Sequence, residues 1–305
     1  MVRMGAINAF AKTIDTITKR PRLLLLPLIM ALLVAPINAY VLKDLPMGEF
    51  MAFENITPVE TQNGVITEEH GAIGNIEDMM GIVKDLIWKS ILSSLIGFIF
   101  TSIALYGVIK EAILSMEGEE VSFGALVGDS IRNLPGVILV RIAIGFLVGI
   151  LLTLVLLPGI ALIAAGAMMN SGALMGVGVM VSFFVLLPAM GYLLSVSYMA
   201  LPAYVREGTF GAALNSFGLA KSKVYSSIAF GWLLVMAIVV ISIIPGSFGG
   251  VFFLGSSGFT AVLLLQLISV PFEALVMTLE GIGGLMFYLE LKEEPVEEEF
   301  EVMGV

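Results

Sequence analysis

No charged residue occurs between Arg141 and Arg206, and none between Lys223 and Glu273. A water-soluble core cannot absorb apolar runs of this length, whereas about 20 consecutive apolar residues carry a helix across a bilayer. Each stretch has room for two such helices joined by a turn. The composition agrees: of 305 residues, 58% are hydrophobic and 13% are charged, against about 25% charged in soluble proteins. The sequence therefore excludes a soluble domain and predicts an all-α polytopic membrane protein.

Read in order, the apolar runs give six transmembrane spans at about 23–42, 87–109, 137–164, 173–204, 224–244 and 259–289, forming a single membrane domain over 1–291. The first run could be read as the core of a secretory signal. The long basic and helical region before it, and its continuation past Ala39, favour a retained span instead. Pro188 and Pro202 fall inside the fourth span, where membrane helices tolerate them.

The spans group into three hairpins, each expected to follow an amphipathic helix. Glu120 to Gly159 and Glu207 to Gly246 share one plan without a gap. Glu120, Phe123, Gly124, Ala125, Val137, Pro158 and Gly159 match Glu207, Phe210, Gly211, Ala212, Val224, Pro245 and Gly246. A looser copy opens the chain, where Ile7, Phe10, Ala11, Ile14 and Ile17 mark one helical face. In the second copy Ser122 is a helix-capping residue, and Phe123, Leu126, Val127 and Ile131 form the apolar face. In the third, Phe210, Ala213, Leu214 and Phe217 do so, with Asn215, Ser216, Lys221 and Ser222 opposite. These faces fit two placements equally, dipping into the headgroup boundary or packing on the ends of the bundle. The fifth span is expected to stop at Pro245-Gly246, with 246–258 as a Gly- and Ser-rich turn.

The net charge of −10 is concentrated in the loop 43–86 and in an acidic, disordered tail over 292–305. The loop's second half, with Ile76, Met79, Met80 and Val83, reads as another amphipathic helix leading into the second span. Lys and Arg gather at the N-terminal segment and in the second and third linkers. By the positive-inside rule both termini are cytoplasmic, the protein is a multi-pass protein of the cell membrane, and loop 43–86 is extracellular. The expected partners are anionic lipid headgroups at the cytoplasmic leaflet, with a protein partner or a second copy left open. No basic patch points to nucleic acid. Asn55-Ile56-Thr57 fits a glycosylation acceptor.

The segment Leu201-Pro-Ala-Tyr-Val-Arg-Glu-Gly208, followed by Phe210-Gly-Ala-Ala-Leu-Asn-Ser216, with Tyr288-Leu-Glu-Leu-Lys292 at the exit of the last helix, resembles a group of archaeal six-helix integral membrane proteins. These are related to the membrane domain of some glycerophosphodiester phosphodiesterases. The resemblance covers nearly the whole chain through a short motif of mostly small and apolar residues. The long acidic loop departs from it. The resemblance implies a fold and a membrane location. No catalytic phosphodiesterase domain is attached, so that activity does not carry over.

Chemistry leaves few traces. The chain has no cysteine and one histidine, His70, and shows no zinc, phosphate-loop or nucleophile-elbow motif. No enzyme activity, cofactor or metal is expected. Gly145-Phe-Leu-Val-Gly149 and Gly172-Ala-Leu-Met-Gly176 fit the small-xxx-small pattern of helix packing. Charges at membrane depth are costly and often functional. Arg141 lies about six residues into its span, shallow enough to snorkel to the interface. Gln266, Glu273 and Glu280 are spaced by seven and share one helix face. They form either a buried polar seam pairing with Arg141 or Lys110, or a path for a cation, proton or small polar or lipid ligand. The expected function is a non-enzymatic scaffold or accessory protein of the cytoplasmic membrane. The alternative is a transporter or channel using the Gln266, Glu273 and Glu280 face.

Overall fold

The computed structural model describes residues 5–43, 76–255 and 259–292. Asn55, His70, most of the acidic loop and the tail beyond Lys292 lie outside them. The described residues are helical, with no strand among them. They form α1 (Gly5–Lys19), a 3-10 turn (Pro21–Leu24), α2 (Leu25–Leu42), α3 (Ile76–Met116), α4 (Phe123–Met168), α5 (Gly172–Glu207), α6 (Phe210–Ser222), α7 (Val224–Gly255) and α8 (Phe259–Leu291). Six of these helices are long and apolar enough to cross a membrane, as the sequence predicts.

Local chemistry explains several ends. Ser122, Ser171 and Thr209 each turn a side-chain oxygen onto a backbone N–H three residues on, satisfying one of the donors a helix start leaves open. Gly208, at φ 70, ends α5 in the left-handed conformation that glycine adopts without strain. Other boundaries differ from the sequence reading. The second amphipathic segment is not a separate helix: α4 runs on through Pro135 into the span. Leu126 and Ser130 are buried in its first turns, and proline inside a helix is tolerated in membrane bundles. α7 likewise passes Pro245 and extends to Gly255, so most of the expected turn over 246–258 is helix. α3 begins at Ile76 and ends at Met116, absorbing both the predicted loop helix and Lys110-Glu111.

The six long helices close into a ring in the order α2, α3, α4, α5, α7, α8, with α8 returning to α2. The second helix of each hairpin, α3, α5 and α8, touches the other two. The first helix of each wedges between its own partner and the inner helix of another hairpin. Thus α2 lies against α3 and α8, α4 against α5 and α3, and α7 against α8 and α5. The short helices follow the same plan: α6 lies on α5, and α1 lies on α8. Phe123 to Phe210 and Gly172 to Phe259 are both steps of 87 residues, so the helix starts keep the sequence repeat.

Small residues let these helices approach. A side chain at Gly231 would run into the backbone of Gly191, and one at Gly284 into the carbonyl of Tyr198. Phe230 and Phe287 stack between α7 and α8 with ring centres 4.1 Å apart. The glycine pairs singled out in the sequence are not among these contacts. Gly145, Gly149, Gly172 and Gly176 have open space where a side chain would stand.

The amphipathic helices bury only part of the expected faces, Ile17 and Ala213 among them, together with small residues beside those faces. α1 packs through Ala6, Ala9, Thr13 and Ile17, leaving Ile7 and Ile14 exposed. α6 packs through Ala212, Ala213, Ser216 and Ala220, leaving Phe210 and Leu214 outward. Ser216, assigned to the polar face, is buried and donates to the Ala213 carbonyl. The small residues allow close packing, and the large apolar ones remain free to meet lipid. Both placements that the sequence left open are thus compatible with one helix.

Candidate functional site: a charged cavity among four helices

Burial is uneven along the bundle. Toward the end that carries α1 and α6, residues such as Ile109, Met199 and Phe287 are fully enclosed. Toward the opposite end Leu95, Leu154, Phe184, Ile243 and Leu264 are exposed. The closed end is also tied by polar contacts. Lys12 meets Glu290 at 3.2 Å, Arg22 meets Glu111 at 3.0 Å, and Lys292 meets Glu207 at 2.6 Å. Tyr106 donates to Asp129 at 2.9 Å, joining α3 to α4. Tyr288 donates to Glu207, joining α8 to α5. The hydrogen bond to Glu207, and then that to Tyr288, hold the Lys292 ammonium above the ordinary lysine range.

Between this closed end and the more exposed one lies a cavity of about 240 Å³, walled by α3, α4, α5 and α8. Arg141 and Glu280 both line it. Arg141 does not snorkel outward as its depth in the sequence predicts. Its Nη1 donates to the Ser102 hydroxyl at 2.6 Å and to the Phe98 carbonyl at 3.2 Å. Its guanidinium sits 4.4 Å from the centre of the Phe98 ring. These partners on α3 replace interfacial water and make the inward rotamer tenable. Glu280 enters from α8, on the opposite wall. The two charges attract one another, yet they form no ion pair within 4.0 Å. Glu280 has no hydrogen bond among the described residues, and no buried side-chain oxygen is left unpartnered there. Its carboxylate is therefore open to the cavity.

The remaining predicted residues fall elsewhere. Glu273 shares the helix face of Glu280 but is exposed, one step toward the start of α8, and is not part of the cavity wall. Gln266 is half buried still further along α8. The face predicted from the spacing of seven thus exists as a line, but only Glu280 on it is enclosed. Phe98, Ser102 and Tyr198 complete the site and carry no signal in the sequence beyond being polar or aromatic in an apolar run. Among the described residues no group of three or more His, Asp and Glu gathers to hold a metal.

The charges also break the repeat. One step of 87 residues from Arg141 stands Ile228, and one step back from Glu280 stands Leu193, which is buried. On α2 and α7, apolar residues such as Leu26, Phe230 and Leu234 are fully buried. The space under α4 holds the cavity with its two charges. No known protein family, curated protein or solved structure matches the chain.

Proposed function

We propose that the protein is a transporter of the cell membrane for a small charged solute, non-enzymatic, with Arg141 and Glu280 as its binding residues. One observation carries this reading: a cavity among α3, α4, α5 and α8 is lined by a cation and an anion that are held apart, in a bundle whose buried core is otherwise mostly apolar. Two buried charges held apart lower stability relative to an apolar filling, and such groups inside a membrane mark ligand or ion pathways. Repeated hairpins related by an axis along the membrane normal are a known plan for transporters. Gly145, an exposed residue of the cavity wall, lies beyond Arg141 on the side away from α1 and α6, and we take it to mark the opening. The Lys and Arg distribution assigns the closed end to the cytoplasm, so the cavity faces outward. The resemblance to six-helix archaeal membrane proteins supports the location and is silent on the solute.

The scaffold reading retains one observation in its favour. Ile7 and Ile14 on α1 stay exposed after the helix has docked, leaving a surface for lipid or a partner. Uptake decides between them. Proteoliposomes carrying the wild type should accumulate small charged solutes from a labelled panel of amines, carboxylates and amino acids. Arg141→Gln and Glu280→Gln should abolish that uptake with melting temperatures near wild type. Absence of uptake across the panel would return the protein to the scaffold class.

A further inference from the structure

We infer that the solute of this cavity is a zwitterion, its oxyanion held by Arg141 and its ammonium by Glu280. This rests on the binding role just proposed for the two residues and goes on to name the chemistry they recognise.

The inference follows from how the charges are held. An arginine and a glutamate enclosed in a membrane bundle are best compensated by direct contact, because each then satisfies the other's hydrogen-bonding capacity. Here the contact is not made. Arg141 is anchored to α3 by Ser102 and the Phe98 carbonyl, with the Phe98 ring beside the guanidinium. Turning toward Glu280 would break those bonds. Only Nη1 is engaged in them, so the rest of the guanidinium fork still has N–H donors to offer. Glu280 stands on the opposite wall, its oxygens open to the cavity.

A ligand bearing one charge would gain one partner and meet repulsion from the other wall. A ligand bearing both, at a separation matching the walls, satisfies both at once and leaves the site neutral. The volume limits its size. About 240 Å³ lies just below the roughly 300–1,000 Å³ of drug-sized pockets. It accommodates an amino acid or the phosphoethanolamine group of a lipid. Both present the same chemistry, an ammonium and an oxyanion a few bonds apart.

The test uses full-length protein in nanodiscs of phosphatidylglycerol, which supply no zwitterion. Calorimetric titration with phosphoethanolamine and with glycine is compared with titration by ethylamine and by methyl phosphate. At least one zwitterion should bind tenfold or more tighter than either half-ligand. Arg141→Gln and Glu280→Gln should each cost tenfold or more, and Glu273→Gln should have no effect. Arg141→Lys, which keeps the charge and loses the fork, should weaken the zwitterion several-fold and serves if the glutamine variant does not fold.

Ethylamine binding as tightly as the zwitterions, and lost only in Glu280→Gln, would overturn the inference while leaving a transport site for cations. The absence of zwitterion binding to folded protein would overturn it outright. Repeating the titration with phosphatidylethanolamine in the discs assigns the source. Loss of phosphoethanolamine binding by competition identifies the lipid headgroup as the occupant, and unchanged binding identifies a free solute.

Discussion

Tyr288, near the end of α8, donates its hydroxyl to Glu207, the last residue of α5, and Lys292 reaches the same carboxylate at 2.6 Å. These three side chains fasten two of the three inner helices at the closed end of the bundle. Glu207→Gln should lower stability by about 1 kcal/mol, since charge-assisted hydrogen bonds are replaced by weaker ones at a partly exposed site. A denaturation midpoint in detergent measures this, and an unchanged midpoint would show that the cluster does not fasten the helices.

The same cluster sets an alkaline limit. The folded pKa of Lys292 is raised, chiefly by Glu207 and then by Tyr288. Its contribution is therefore complete below the unfolded lysine value of about 10.4 and is lost as pH rises through the higher folded value. Melting temperature should fall above about pH 10.4, and Lys292→Met should flatten that fall. An alkaline limb of equal slope in both proteins would assign the loss to other groups.

Glycines divide by what surrounds them. Gly231→Ala would press a methyl group into the backbone of Gly191 and should cost about 1–3 kcal/mol. Gly149→Ala meets nothing within 4 Å and should change stability by less than about 0.5 kcal/mol. Paired thermal melts of the two variants check this, and equal losses would contradict the described packing of α5 against α7.

Orientation is accessible because the chain has no native cysteine. In sealed cells, Met169→Cys at the tip of the α4–α5 hairpin should react with an impermeant maleimide added outside. Asn215→Cys on α6 should react only after the membrane is opened. The reverse pattern would invert the topology. Met169 is 72% exposed, so failure to label cannot be attributed to burial.

The sequence made some levels of this protein readable and not others. The spans were legible because absence of charge over twenty residues has one physical solution in a bilayer. The boundaries at Pro135 and Pro245 were not, because proline signals a helix end in water and is tolerated inside a helix in a membrane bundle. The docking faces of α1 and α6 were partly missed for a related reason. Apolar periodicity picks out Ile7, Ile14, Phe210 and Leu214, which stay outward, whereas Ala9, Thr13, Ala212 and Ser216, outside the predicted faces, make the contact by being small. Among the candidate charges, spacing placed Glu273 and Glu280 on one face correctly. It could not tell which of them lies toward the more exposed end, nor that Ser102 and Phe98 would turn Arg141 inward.

The central claim is that the space beside Arg141 and Glu280 is open to water from the outer side, and Gly145→Cys tests it most directly. Gly145 lines the cavity, is exposed and has room for a side chain. Val137, one helical turn before Arg141, is fully buried. In sealed vesicles of defined orientation, the cysteine at 145 should react with an external impermeant maleimide, and one at 137 should not. A folded, thermally unperturbed Gly145→Cys variant that stays unreactive would mean that water does not enter there, and the account of a solute site would be wrong.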